Sequence, residues 1–261
     1  MVIKKHIFDA LSFYSRLAIN SNSPAERAGR KLGDEQIEAA IWRDIQNKLL
    51  PSPGQRILDI GVGSGSIAKQ WVALSQHMSL HLHFVDFPAV INRLRSELEQ
   101  SGIYSLDQCE FTSGIFPQSV PKELLASSFD RVVLYSVIHY SDTPREMIDR
   151  SAMLLAPGGR MLIGDIPNLD KKGRFLSTKT GRAFDANYKK IEPESLRLYP
   201  NYREFTSEAR TAGAPPIDDD FILDVICSYR KKGFQAYVLE QPDGLSLNHT
   251  REDILICAPH E

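Results

Sequence analysis

The chain of 261 residues predicts an α/β fold, doubly wound around a mostly parallel sheet. Three observations point there. Between residues 55 and 167, apolar strand-like runs alternate with amphipathic helical ones, the pattern of a parallel sheet covered on both faces. Ile57-Leu58-Asp59-Ile60 runs straight into Gly61-Val62-Gly63-Ser64-Gly65 and a helix. A second strand, Leu80 to Val85, closes on Asp86 about 20 residues beyond that loop, where nucleotide-binding folds of this class place an acid.

Helices come first. Ser23-Pro24-Ala25-Glu26 is a capping box with proline at the first helical position, so a helix begins there and ends near Gly33. Another starts at about Asp34 and carries Ile37, Ala40, Ile41, Ile45 and Leu49 on one face until Pro51-Ser52-Pro53-Gly54 stops it. Residues 1–50 therefore form an N-terminal helical cap, expected across the cofactor mouth of a core spanning 51–167.

Within that core, a helix is expected from Pro88 to about Gln100 and a third strand from Gln108 to Thr112. Thr143-Pro144-Arg145-Glu146 repeats the proline-bearing capping box and opens a helix ending before Pro157. Residues 168–232 lack strand periodicity and far exceed an ordinary connection, which marks a helical insertion after the fifth strand and a candidate substrate cap. Two strands, Phe234 to Glu240 and Asp253 to Cys257, joined through Pro242-Asp243-Gly244, complete the sheet in 233–261.

The glycine loop is the chemical centre. Glycines let a ligand approach the main chain, and the helix beyond presents N–H groups and a positive dipole end, so a polar nucleotide cofactor is expected there. A dinucleotide fingerprint wants its third small residue three after the second glycine. That place is Ser66, and Gly65 comes one residue early. Asp59-Ile60-Gly61-Val62-Gly63-Ser64-Gly65 instead resembles motif I of the class I S-adenosylmethionine (SAM)-dependent methyltransferases. The likeness continues in Phe129-Asp130 leading a fourth strand toward His139-Tyr140, and in Ala156-Pro157-Gly158-Gly159-Arg160 as the turn before a fifth strand, Met161 to Asp165.

The resemblance implies a seven-stranded, mostly parallel sheet with the C-terminal pair as its antiparallel edge, and SAM as the cofactor. It implies that Gly61, Val62, Gly63 and Gly65 wrap the methionine part, that Asp59 holds its ammonium and that Asp86, with Phe87 beside it, takes the ribose hydroxyls. Ser113-Gly114-Ile115-Phe116 corresponds to a segment that often reads Gly-Asp-Phe. Ile115 replaces the adenine-contacting aspartate, so adenine falls to backbone and neighbouring groups. Ser136, within that fourth strand, completes the expected cofactor contacts.

Methyl transfer to a neutral hydroxyl needs a proton acceptor. His139 occupies a place like that of the catalytic histidine in small-molecule O-methyltransferases, whose motif runs His-Asp-Trp-Ser-Asp. Here it runs His139-Tyr140-Ser141-Asp142, one residue shorter and without the tryptophan, so a packing histidine is weighed beside a base. Asp165 is a second candidate, as base, orienter or loop-fixing carboxylate. Tyr14, Arg16 and Tyr188 lie on segments expected at the mouth.

Composition narrows the partners. A net charge of −2 supplies no basic field for nucleic acid, and Asp165-Ile166-Pro167-Asn168 lacks the Asn-Pro-Pro-Tyr pattern of base methylation, which disfavours DNA. Lysine, arginine and aromatic residues interleave over 170–210. A mixed-charge surface is the preferred reading there, with an anionic acceptor or RNA as the minority ones. Cys109, Cys227 and Cys257 are scattered and no metal-ligand spacing occurs, so no metal is expected. No apolar run reaches the roughly 20 residues of a membrane span, and Asp9, Ser12 and Ser15 spoil a signal core. The expectation is a cytoplasmic methyltransferase acting on a small molecule, at oxygen before nitrogen or carbon, with homodimerisation open. The alternatives are RNA or protein methylation, a non-catalytic SAM-binding interaction subunit, and an NAD(P)-dependent oxidoreductase.

Overall fold

The computed structural model describes residues 5–27, 35–102, 105–196, 201–211, 217–245 and 247–260. Helices α1 (Lys5–Asn20), α2 (Pro24–Arg27) and α3 (Glu35–Leu49) precede the sheet. In α2, Ser23 Oγ accepts the Glu26 N–H at 3.4 Å, while the Glu26 carboxylate takes the Ser21 hydroxyl at 2.6 Å instead of closing the reciprocal box. The helix end expected near Gly33 lies outside the described residues.

Seven strands then form one sheet: β1 (Arg56–Ile60), β2 (His81–Asp86), β3 (Cys109–Ser113), β4 (Phe129–Tyr135), β5 (Leu155–Pro167), β6 (Gln235–Leu239) and β7 (Arg251–Cys257). Their spatial order is β3-β2-β1-β4-β5-β7-β6, parallel except that β7 runs against both neighbours. The order reverses between β1 and β4. That switch point opens a crevice at the carboxyl ends, where folds of this kind bind ligands.

Helices cover both faces. On one side α3, α4 (Ser66–Met78) and α5 (Pro88–Ser101) bury Ile45, Leu49, Trp71, Val72 and Leu94 against β1 and β2, with Trp42 and Trp71 edge to face at 4.7 Å. Each such side chain contributes roughly 2 to 3 kcal/mol by leaving water. Behind the sheet, the short α6 (Lys122–Leu125), α7 (Pro144–Ala152) and α11 (Asp219–Lys231) bury Leu124, Ile148, Ile222, Val225 and Tyr229. Between β5 and α11 stand α8 (Leu169–Leu176), α9 (Lys179–Lys189) and α10 (Tyr202–Thr211). Asn168 anchors them: its Oδ1 caps α8 through the N–H groups of Asp170 and Lys171, and its Nδ2 donates to Asp219 and Glu252.

Three local expectations change. β4 stops at Tyr135, because Ser136 turns with φ +61° into a 3₁₀ turn over Ile138–Tyr140, so His139 lies beyond the strand. Pro157-Gly158-Gly159 is part of β5: Leu155 already pairs with Phe129, and a register shift absorbs the glycines. Thr143 does not cap α7. Its hydroxyl has no partner among the described residues, and Ser141 Oγ takes the Thr143 N–H at 3.1 Å instead.

Candidate active site

At the switch point lies a cavity of about 1130 Å³, counting its open mouth, with the glycine loop as its floor. Gly61 turns with φ +74°, and a Cβ there would come within 2.5 Å of Val137 Cγ2, so the chain after β4 packs against bare backbone. Gly63 also has positive φ, and its N–H donates to Asp86 Oδ2 at 2.7 Å while the Phe87 N–H donates to Oδ1 at 2.7 Å. The second acid therefore braces the loop that it faces.

Four charged side chains wall the cavity: Arg27, Glu38, Asp59 and Asp86. Asp59 accepts the Trp71 indole N–H at 3.1 Å, and burial, with the Asp86 charge adding, pushes its carboxyl up to about 7. Burial likewise pushes Asp86 up to about 6, against its two backbone hydrogen bonds. Both carboxyls are raised chiefly because burial excludes water from them. A cationic ligand would reverse that.

Arg27 is 2% exposed. Its guanidinium donates to the carbonyls of Ser64, Ser21 and Asn22 and to Glu97, tying the glycine loop to α5 and to the chain before α2. Burial lowers its pKa, and Glu97 opposes the change. Glu38 reaches from α3 to the start of α4, where it accepts both the N–H and the hydroxyl of Ser66. Gly65 has no side chain to cap that helix, so an acid from another helix does it, and one of the N–H groups expected to face the cofactor is already taken.

Of the residues singled out in the sequence, the wall brings together Asp59, Gly61, Val62, Gly63, Gly65, Asp86, Phe87, Gly114, Ile115 and Ser136. Ser113 is exposed at the end of β3, outside it. His139 and Asp165 are also outside it, one row back. His139 packs its ring against Tyr140 at 4.1 Å, its Nδ1 is buried without a partner among the described residues, and burial, then Arg251, lowers its pKa to about 3. This imidazole stays neutral throughout the physiological range. Asp165 turns with φ +56°, accepts the Ser136 hydroxyl at 2.7 Å and lies 3.7 Å from the Arg251 guanidinium.

Tyr14 and Tyr140 meet across the cavity. Arg27 and Glu38 escaped the sequence reading. For Glu38 a signal existed, since an acid at position 38 shares the buried stripe of Ile41, Ile45 and Leu49. Arg27 gave none. The described residues hold no cluster of three metal-ligating side chains.

A three-dimensional crevice built on a glycine loop and two strand-end acids defines a nucleotide-cofactor enzyme, and comparison with known proteins says which. Residues 58–161, about two fifths of the chain, match the family model described as a methyltransferase domain, and the relatives that the chain resembles point to a SAM-dependent methyltransferase. Among curated relatives, it is 23% identical over 188 residues to the ubiquinone/menaquinone biosynthesis C-methyltransferase UbiE of Ruegeria sp. (strain TM1040), covering 66% of this chain and 72% of that one. It is 28% identical over 136 residues to an O-methyltransferase of Pyrenophora dematioidea, covering 51% of this chain and only 48% of the relative. Among solved structures, the magnesium protoporphyrin IX methyltransferase of Synechocystis PCC 6803, with bound S-adenosylhomocysteine (SAH), superposes with a TM-score of 0.55 at 14% identity, covering 96% of this chain and 94% of that one. This last likeness is one of fold.

Proposed function

We propose that the chain transfers a methyl group from SAM to a hydroxyl oxygen of a small-molecule acceptor. The carrying observation is the charge set of the cavity: three carboxylates and one guanidinium around a glycine loop. A zwitterionic sulfonium cofactor brings two cations and one carboxylate, which suits that set. A pyrophosphate would face three acids, which weighs against the dinucleotide alternative. When bound, SAM supplies an activated methyl carbon.

The residues of this chain divide the remaining work. Asp59 holds the ammonium, and Arg27, its donors spent on Ser64, Ser21, Asn22 and Glu97, keeps the loop in place; Gly61, Val62, Gly63 and Gly65 let the methionine part lie on the main chain. Asp86 takes the ribose hydroxyls through lone pairs left over from its loop bonds, with Phe87 beside it. Gly114 and Ile115 flank the adenine, and Ser136 closes the cofactor's side of the wall. Asp165 orients Ser136. His139 is the terminal proton acceptor: an oxygen that has gained a methyl group holds its proton very weakly, so a feebly basic imidazole suffices. No metal is used, and the enzyme works in the cytoplasm.

Support for oxygen comes from the hydroxyl-bearing wall of Tyr14, Tyr140, Ser136 and Ser141, and from the O-methyltransferase likeness. A second reading, transfer to carbon, is favoured by the name of the UbiE relative. Calorimetry with SAM and SAH, followed by transfer of isotopically labelled methyl to a library of hydroxylated and carbon-acid acceptors, tests both. No binding of either cofactor form sinks the proposal; label on carbon alone selects the second reading. His139→Ala is expected to slow turnover about 100-fold or more at unchanged SAM affinity.

A further inference from the structure

One pair of cavity side chains has no task in the scheme above. Tyr14 comes from α1 and Tyr140 from the turn after β4; their hydroxyl oxygens share a hydrogen bond of 2.9 Å and their rings meet edge to face at 5.4 Å. Both face the cavity that holds Asp59 and the glycine loop. Each is braced from behind, Tyr14 by Phe13 at 5.1 Å and Tyr140 by His139 at 4.1 Å. The corner is rigid, aromatic and polar at one point.

Tyr140 Oη accepts the Tyr14 hydroxyl with one lone pair and has a second, so it can still accept from a third hydroxyl. Ala10, Val137 and Met147 supply apolar wall to the same cavity, and a flat ring packs favourably against the edges and faces of two phenols. An acceptor hydroxyl that donates its proton to Tyr140 Oη gains electron density on oxygen and turns a lone pair away from the tyrosine, into the cavity.

We propose that Tyr14 and Tyr140 form the acceptor-binding corner, taking the hydroxyl of a flat, hydroxylated ring, so that α1 is a wall of the acceptor site and not only a cover over the cofactor. This rests on the methyltransferase reading. It makes Tyr140 the residue that touches the reacting oxygen, with His139 behind it.

The test loads the full chain with SAH and follows the binding of catechol, 1,2-cyclohexanediol and 1,2-dimethoxybenzene by ligand-observed NMR. Catechol is expected to bind at least about fivefold more tightly than either of the others, one hydrogen bond and one ring contact being at stake. Tyr140→Phe keeps the ring and is expected to weaken catechol about fivefold while SAH affinity stays within twofold. Tyr14→Phe should weaken catechol in the same direction. Should Tyr14→Phe lower the melting temperature by loosening α1, Tyr140→Phe alone decides. Unchanged catechol binding in Tyr140→Phe overturns the inference, as does wild-type protein that binds SAH yet does not prefer catechol; both leave the methyltransferase reading standing. Wild-type protein that ignores SAH removes that reading and this inference together.

Discussion

Ser136, just past the end of β4, and Asp165, at the register shift within the neighbouring parallel strand β5, both lie in the left-handed region and are joined by a hydrogen bond of 2.7 Å. Two non-glycine residues with positive φ side by side store strain of order 1 kcal/mol each, and surrounding bonds hold them. The Ser136 N–H donates to the Gly164 carbonyl and the Asp165 N–H to the buried Asp253 carboxylate at 2.8 Å. Strain held at the edge of a ligand cavity is a mark of a functional rim.

That rim yields the first prediction. Ser136→Ala removes the bond to Asp165 and is expected to lower kcat about tenfold, with melting temperature little changed. Asp165→Asn keeps an acceptor for the Ser136 hydroxyl and should retain most activity. Equal losses in both variants, measured by labelled-methyl transfer, would count against an orienting carboxylate.

Cofactor affinity should depend on pH through the two raised acids. Asp59 must ionise to hold an ammonium; with its carboxyl up at about 7, SAM binding is weak at pH 6 and tightens roughly tenfold by pH 8. Asp86, at about 6, adds a smaller gain over the lower part of that range. Asp59→Asn should weaken binding overall and flatten the slope above pH 6.5. Calorimetric titrations across pH 5.5 to 8.5 in wild type and variant check this.

His139 enters with the opposite sign. Its pKa is depressed to about 3, so the folded protein carries it neutral and gives up stability only as the pH falls below the unfolded value of about 6.5 and on through 3. Turnover should therefore show no inflection near pH 6.5 that disappears in His139→Ala. An inflection there that Asp59→Asn shifts and His139→Ala leaves in place is the expected profile.

Gly61→Ala combines a left-handed φ with a Cβ driven to 2.5 Å from Val137 Cγ2. The conformational part costs about 1 kcal/mol and the overlap more, so the variant should melt several degrees lower and bind SAM weakly. Adding Val137→Ala removes the overlap but not the φ cost. A double-mutant cycle in stability should recover part of the loss, and complete additivity would deny the contact.

Beneath β5 a buried ion pair supports the rim. Asp253 is 0% exposed and lies 2.6 Å from Lys48 Nζ, which also pairs with Asp44 at 2.7 Å. Asp253→Ala leaves Lys48 with Asp44 as its acidic partner but takes the acceptor from the buried Asp165 N–H, and should cost about 1 to 3 kcal/mol in chemical denaturation.

Much of this was legible in the chain. The loop at Gly61 to Gly65, the acids Asp59 and Asp86 and the alternation over 55–167 are local patterns, because a strand, a tight turn and a helix are each set by neighbours in sequence. The sheet's antiparallel edge followed from resemblance and from Phe234 to Cys257 reading as two strands. What escaped depends on distance in the chain. Glu38 caps α4 from 28 positions away, and the Arg27 ion pair with Glu97 spans 70. His139 was readable as a residue but not as an environment: no sequence pattern shows that Tyr140 covers it or that Arg251 stands nearby. Thr143 shows the converse failure, since a well-formed capping signature lost its bond to Ser141.

Glu38 and Arg27 also bear on where the enzyme begins as a working object. The recognisable core starts near residue 55, yet the glycine loop on the floor of its crevice is fastened by one side chain from α3 and another from α2. Excising the core along family boundaries would leave a loop with no clasp. Grafting a different leader onto the same core would retune donor affinity without touching one glycine.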